Sequence, residues 1–438
     1  MSEEPTCYQE ATTEACWYEA MEEELETIKM NKTWTLTELP LGHKPIGLKW
    51  VYKLKKDSAG KVVKYKARLV AKGYVQRQGI DFEEGIEAGR LFKALYGLRQ
   101  APRAWNMRLN RSLVELDFKK YIQEHAVYTR GEGEASILVG VYVDDLIVTG
   151  GSTEKINKFK QQMMTEFEMS DLGLSYYLGI EVEQQKSRIS LRQSAYAKKI
   201  LSQFKMADCN ATKHPMEPKT QLHKDLEGTP VDTTEYRCIV GCLRYLLHTW
   251  PDLSYSVGME SRYMERPTIM HHRVVKQILR YLKGTIYFGL VYIKGPQEID
   301  IFGYSDSDLA DDLDGRKSTS GMTFYFNESL VSWNSQKQKT VALSSCEAEF
   351  MAATTAACHA LWLRSLASEL TGVKPKPVTL FVDNKSAIAL MKNPGQIVVE
   401  FVNTGEQRAD ALTKALPGVK LAAMRQLLSV RDLQSCQD

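Results

Sequence analysis

Two groups of carboxylates stand out by type and spacing. Asp144 and Asp145 are adjacent and lie between Ile137–Val141 and Leu146–Val148, the most apolar surroundings in the chain. Unpaired charges are costly there, so the pair must face water at a turn or meet a cation. Asp-Asp is also an ordinary tight turn between two strands, and composition alone slightly favours that plainer use. The second group is Asp306, Glu349, Asp383 and Asp410. Asp306 follows the apolar stretch IDIFGYSD, and Asp383 ends VTLFVD. Both are expected at strand ends, where ligands and metals tend to gather. Glu349 falls in the first turns of a long helix, after Ser344-Ser345-Cys346-Glu347, a capping-box pattern. Asp410 is expected early in a last helix, after Arg408-Ala409. Each acid alone is more often a cap or a surface group. Glu347 rivals Glu349, but two residues apart on a helix they cannot face the same way.

The elements that must carry these residues can be read from periodicity. Residues 8–30 have Trp17, Met21, Leu25 and Ile28 on one side of a single amphipathic helix. Two strands are expected from Trp50 to Gly73 around a turn at Asp57-Ser58-Ala59-Gly60. Ile137–Thr149 is a hairpin with the aspartates at its centre, followed by a helix over Thr153–Phe167 and strands at Tyr177–Glu183 and Arg188–Arg192. Helices dominate from Ala195 to Lys283, with an irregular stretch at Asn210–Pro230. After a composition break near Gly284–Gln297, strands are expected at Ile299–Ser305, Gly321–Phe326, Leu330–Asn334, Val378–Val382 and Ile397–Val402. Helices are expected over Ser345–Leu370, from Asn384 and from about Glu406. That order predicts one α/β sheet.

A 438-residue chain with 43% hydrophobic and 25% charged residues is long enough for two or three domains. No apolar run is long enough to span a bilayer and the acidic start is no signal peptide, so an intracellular protein of cytoplasm or nucleus, not secreted, is expected. The eight cysteines include no CxxC pair and no zinc spacing, which reads as reduced thiols. Cys238 and Cys242 suggest shared helix packing. The net charge of +3 is unevenly spread: Lys44 to Arg77 holds eleven basic residues against Asp57, interleaved with Trp50, Tyr52, Tyr65 and Tyr74. Such a stretch suits a phosphate backbone with aromatic faces for bases, or equally a solvated hairpin face.

Tyr142-Val143-Asp144-Asp145 resembles the signature of reverse transcriptases. Lys66-Ala67-Arg68-Leu69-Val70-Ala71-Lys72-Gly73-Tyr74 and Leu95-Tyr96-Gly97-Leu98-Arg99-Gln100-Ala101-Pro102-Arg103-Ala104-Trp105 resemble the fingers and the nucleotide and template site of the copia retrotransposon family. Leu178-Gly179-Ile180 and Leu279-Arg280-Tyr281-Leu282-Lys283-Gly284-Thr285 match that family's thumb and connection. The blocks around Asp306, Glu349, Asp383 and Asp410 resemble its ribonuclease H active site. The resemblance implies a multidomain α/β and α+β fold, in which an incomplete reverse transcriptase of fingers, palm and thumb precedes a ribonuclease H-like mixed sheet with flanking helices. It divides the chain into an N-terminal helical segment (1–30), a fingers and palm remnant (31–193), a mainly helical thumb and connection (194–297), a ribonuclease H-like domain (298–425) and a tail (426–438).

The resemblance further implies catalytic and metal-holding roles for Asp144, Asp145, Asp306, Glu349, Asp383 and Asp410, with Mg2+ or Mn2+ as cofactor. It implies nucleotide contacts from Lys66, Arg68 and Gln100. The partners implied are RNA, DNA and RNA–DNA hybrid, with dNTP only if the polymerase site were complete, and no membrane; oligomeric state is left open. Two departures qualify it. The family carries a longer segment between Gly79-Ile80-Asp81-Phe82 and Leu91-Phe92, with a strand bearing a third catalytic aspartate. It also carries a histidine-containing segment and a helix between Asn393 and Ile397. The expectation is an inactive polymerase in which, if any chemistry survives, it is hybrid cleavage rather than DNA synthesis. The alternative is a non-enzymatic remnant with residual nucleic-acid binding, and for present activity the two shortened junctions favour it.

Overall fold

The computed structural model describes residues 4–31, 33, 45–56, 62–77, 95–133, 136–167, 169–295, 299–391 and 395–434. They fall into two units, Met1–Gln162 and Met163–Asp438. Asp81 and the acids between it and Leu91, Glu83, Glu84 and Glu87, lie outside the described residues.

In the first unit, α1 (Tyr8–Ala11) and α2 (Ala15–Met30) replace the single helix expected over 8–30. The Thr12 and Thr13 hydroxyls donate back to Gln9 O and Glu10 O, closing the first turn instead of extending it. α2 lays Trp17, Ala20 and Met21 on a two-stranded antiparallel ribbon, β1 (Leu48–Lys56) and β2 (Val62–Ala71), where they pack with Tyr52 and Ala67. α3 (Ala101–Glu115) precedes β3 (Lys119–Lys120), β4 (Val127–Arg130), β5 (Ile137–Tyr142) and β6 (Asp145–Gly150), an antiparallel sheet in that order, and α4 (Thr153–Glu166) follows. Phe118 and Phe159 meet at 4.9 Å, with the Arg130 guanidinium 4.7 Å over the Phe118 ring.

The second unit begins with β7 (Tyr176–Tyr177), β8 (Ile180–Gln184) and β9 (Arg188–Arg192). Four helices follow: α5 (Ser194–Gln203), α6 (Thr233–Leu246), α7 (Ser254–Glu260) and α8 (Ile269–Gly284). β10 (Phe288–Ile293) joins β9. Next come β11 (Ile301–Ser307), β12 (Thr319–Phe326), β13 (Ser329–Lys337), α9 (Ser345–Thr371), β14 (Val378–Val382), α10 (Lys385–Leu390), β15 (Ile397–Phe401), α11 (Gly418–Leu427) and β16 (Val430–Asp432). One five-stranded sheet has the order β16-β10-β9-β8-β7, so residues 430–432 of the segment set apart as a tail pair within it.

The other sheet has the order β13-β12-β11-β14-β15, antiparallel as far as β11 and parallel from there to β15. The short link before β15 therefore still delivers the strand, in register from Val378↔Ile397 to Val382↔Phe401. One face of this sheet is covered by α9, whose buried Ala352, Ala353, Ala356, Ala360 and Ala367 let the helix lie close on Phe324, Leu380 and Val382. The other face buries Tyr304, Tyr325 and Leu330 in a larger core with α6, α8 and α11. The last helix is not the one expected from Glu406. A 3-10 turn at Arg408–Leu412 comes first, and α11 starts only after Leu416-Pro417. Proline holds the residue before it out of the helical region, which separates the two.

Candidate metal centre

β11 and β14 are parallel neighbours, with Tyr304 opposite Phe381, and Asp306 and Asp383 stand two residues further along each. α9 begins above them. Its N-cap Ser344 accepts from Glu347 N at 3.1 Å, and the Glu347 carboxylate accepts from Leu343 N at 2.7 Å. Glu347 is thus engaged in capping. Glu349, two residues on, is buried and turned to the sheet, where Ser307 N donates to its Oε1 at 3.2 Å. One oxygen from each of Asp306, Glu349 and Asp383 lies within 4.8 Å of the others. Glu349 Oε2 is buried with no hydrogen-bond partner. Three converging carboxylates and an unpartnered buried oxygen form a hard-donor set that fits a divalent cation such as Mg2+ or Mn2+.

Asp410 reaches the same place from the 3-10 turn and is fully buried. Lys414 Nζ lies 2.6 Å from its Oδ1 and Lys420 Nζ 2.6 Å from its Oδ2. Lys414 Nζ is also 3.9 Å from Asp306 Oδ2, which accepts from the Thr413 hydroxyl. Thr404 Oγ1 donates to Asp383 Oδ2 at 3.0 Å. Burial pushes the Asp306 carboxyl up from its ordinary range, against the pull of Lys414. Glu349 is pushed up by burial and by the charges of Asp306 and Asp383. Burial alone would lower the Lys414 ammonium, but Asp306, Asp410 and Asp383 outweigh it and raise its pKa.

Several residues that build this centre were not singled out in the sequence. Gly321 stands opposite Asp306 on β12, and a Cβ there would meet Thr413 Cγ2 at 2.8 Å and Ala409 O at 2.9 Å. Glycine is what lets the turn carrying Asp410 lie on the strand. Gln407 is buried, donates to Ser305 O at 2.9 Å and accepts from Ala409 N at 3.2 Å. Arg408 stacks its guanidinium 4.6 Å over Tyr325 and 5.0 Å over Tyr304. Gln338 Nε2 reaches Ala348 O at 2.9 Å and Ser320 Oγ at 3.0 Å, joining the start of α9 to the sheet. Such side chains read as ordinary polar residues, because their partners are distant in sequence. Asp312, in the loop between β11 and β12, is buried with Lys337 Nζ 2.7 Å away, and its Oδ2 accepts from Gly315 N at 2.8 Å. Its acid function is to fasten the β11–β12 connection.

Asp144 and Asp145 lie in the first unit, at the two-residue turn between β5 and β6, and both are exposed. Val143 has φ 56°, a conformation a β-branched residue rarely adopts, and Trp105 Nε1 donates to its carbonyl at 2.6 Å. Arg68 Nη2 lies 3.7 Å from Asp144 Oδ2 and its guanidinium sits 4.5 Å over Tyr96. Lys66 lies on β2 opposite Lys53, and Gln100 accepts from Gln76 Nε2 at 3.1 Å. Among the described residues no third acid, histidine or thiol joins Asp144 and Asp145 at metal-ligand spacing.

The basic ribbon is less open than its sequence suggests. Tyr52 and Tyr65 pack edge-on against Trp17 at 5.4 and 5.0 Å, so those rings serve the core and not a base. Lys53 pairs with Glu4 and Lys64 with Glu23, each at 2.6 Å. Tyr74 remains exposed.

Residues 31–89 and 87–218 match the reverse transcriptase (RNA-dependent DNA polymerase) family, in two stretches that meet at the junction where a segment was expected to be missing. The chain is 32% identical to the retrovirus-related Pol polyprotein from transposon TNT 1-94 of Nicotiana tabacum, over 94% of its own length and 37% of the relative's. It is 31% and 32% identical to the corresponding polyproteins from transposons RE1 and RE2 of Arabidopsis thaliana, over 94% and 95% of its length and 34% of each relative. The chain thus spans about a third of the length of these polyproteins. The alignment to the tobacco protein runs over 500 residues, more than the 438 of this chain, so that relative carries internal residues with no counterpart here.

Proposed function

This chain belongs to the copia-type retrotransposon Pol family, and from that premise we propose that its surviving chemistry is divalent-metal-dependent hydrolysis of RNA in RNA–DNA hybrids. The observation that carries the reading is the convergence of Asp306, Glu349 and Asp383 within 4.8 Å, from two strands and a helix remote in sequence. Residues 298–425 then act as a ribonuclease H-like domain, behind a fingers and palm remnant (31–193) and a helical thumb and connection (194–297).

Bound Mg2+ or Mn2+ supplies positive charge at the scissile phosphate and acidifies a water molecule. The chain supplies placement. Parallel pairing of β11 with β14 sets Asp306 beside Asp383. The Ser307 amide aims Glu349, Thr413 orients Asp306 and Thr404 orients Asp383. Because Asp306 and Glu349 are buried, their field on a cation is screened less than it would be at the surface.

For the first unit, the reading is nucleic-acid contact without DNA synthesis. Asp144 and Asp145 have no third partner among the described residues, and a two-metal clamp missing a ligand loses the geometry on which nucleotidyl transfer depends.

The test is cleavage of a labelled RNA–DNA hybrid in Mg2+ or Mn2+. The wild-type chain is expected to cleave, and Asp383→Asn to lower the rate by at least about 10²-fold, the scale set by removing one electrostatic group from such a centre. No cleavage by folded wild-type protein would sink the proposal and leave a non-enzymatic remnant that binds nucleic acid.

A further inference from the structure

We propose that Lys414 is a built-in counter-cation of the carboxylate centre, which keeps Asp410 out of the ligand set so that the resting protein takes one divalent ion, on Asp306, Glu349 and Asp383. The proposal rests on the hydrolytic reading above and adds a rule for how the centre is loaded.

Each oxygen of Asp410 has an ammonium nitrogen at 2.6 Å: Lys420 donates a hydrogen bond to Oδ2, and Lys414 lies in ion contact with Oδ1, which accepts no hydrogen bond. The three acids within mutual ligand distance leave Asp410 out. Lys414 also reaches to 3.9 Å from Asp306 Oδ2, so its charge stands between Asp410 and the open trio. Four carboxylates and two ammoniums are balanced by one divalent ion. A second ion would bring two charges in excess and sit against the Lys414 ammonium, where repulsion is poorly screened. It binds once Lys414 withdraws or once an anionic phosphodiester arrives. The Lys414 side chain is 44% exposed, which gives it a path to solvent, whereas Asp410 is 0% exposed and cannot follow. Loading of the second ion is thereby tied to substrate. Lys414 acts through Asp410 and is a positioning residue.

The experiment counts Mn2+ bound by the full chain without nucleic acid, by calorimetry and electron paramagnetic resonance. An Asp144→Asn/Asp145→Asn background removes any contribution from the hairpin acids. The background protein is expected to bind one ion, and a hybrid made uncleavable at the ribose is expected to raise the count to two. Lys414→Met is expected to take a second ion without nucleic acid, at least about tenfold more tightly than the background. Lys414→Arg keeps the charge and is expected to stay at one. A merely structural lysine would lower the melting temperature on Lys414→Met with the count unchanged, and that result overturns the proposal. Two ions in the background protein overturn it as well, and this measurement stands even if Lys414→Met does not fold. Zero ions would remove the hydrolytic reading itself, so the two failures are distinguishable.

Discussion

Glu349 and Glu260 are both buried carboxyls of the second unit, and they differ in what answers their burial. Glu349 has two acids for neighbours and a free oxygen facing them. Glu260 receives the Tyr236 hydroxyl on Oε2 at 2.5 Å, and its Oε1 has no partner. Burial pushes the Glu260 carboxyl up to about 8. A raised acid means that between the ordinary glutamate value and about pH 8 the folded state binds a proton the unfolded chain has released, so stability falls as pH rises through that window. Urea unfolding of Glu260→Gln is expected to show a flatter pH dependence and a gain on the order of 4 kcal/mol at pH 8, because the amide is never charged. An unchanged slope would show that Glu260 is ionised in the fold. Sequence spacing separates Glu347 from Glu349, because two residues on a helix face apart. It is blind to Glu260, whose burial comes from α6 packing onto α7 through Tyr236.

The elements show where local pattern was sufficient. The Ile137–Thr149 hairpin, the long helix α9 and the strands β11 to β15 are written in alternation and periodicity, and they lie where those patterns place them. The turn at Arg408–Leu412 is not, because no intrinsic preference selects it. Its shape follows from Gln407 bonding Ser305 O, Arg408 stacking on the tyrosines and Gly321 leaving room. Gly321→Val is accordingly expected to lift this turn, destabilise the chain by about 1–3 kcal/mol and weaken Mn2+ binding, measured by thermal melting and calorimetry. Native stability with native affinity would mean that the turn is held without that close approach. The basic ribbon illustrates the reverse limit. Its lysines were legible, but the acids that pair with them lie at Glu4 and Glu23, across a packing contact that spacing cannot reveal. Glu4→Gln with Glu23→Gln is expected to free Lys53 and Lys64 and to steepen the salt dependence of single-strand binding by about 0.7 per lysine released. An identical slope would make the ribbon a solvated face.

At the scale of the molecule, the two units carry unequal chemical equipment. One preparation assayed side by side is expected to cleave hybrid RNA and to extend no primer; extension abolished by Asp144→Asn would overturn the assignment. The descent of the chain was readable because its motifs are long and ordered. The junction near residue 87 was readable only by comparison with a longer pattern, since nothing local marks an omission. No described helix is long and apolar enough to cross a membrane. The pairing of β15 with β14 has a consequence of its own. The strand keeps full parallel register even though the connection from Met391 to Ile397 is brief. The strands on either side are thus held by their own pairing, and a chain lengthened at this connection is expected to keep both the strand register and the placement of Asp383, with Mn2+ binding as the measure.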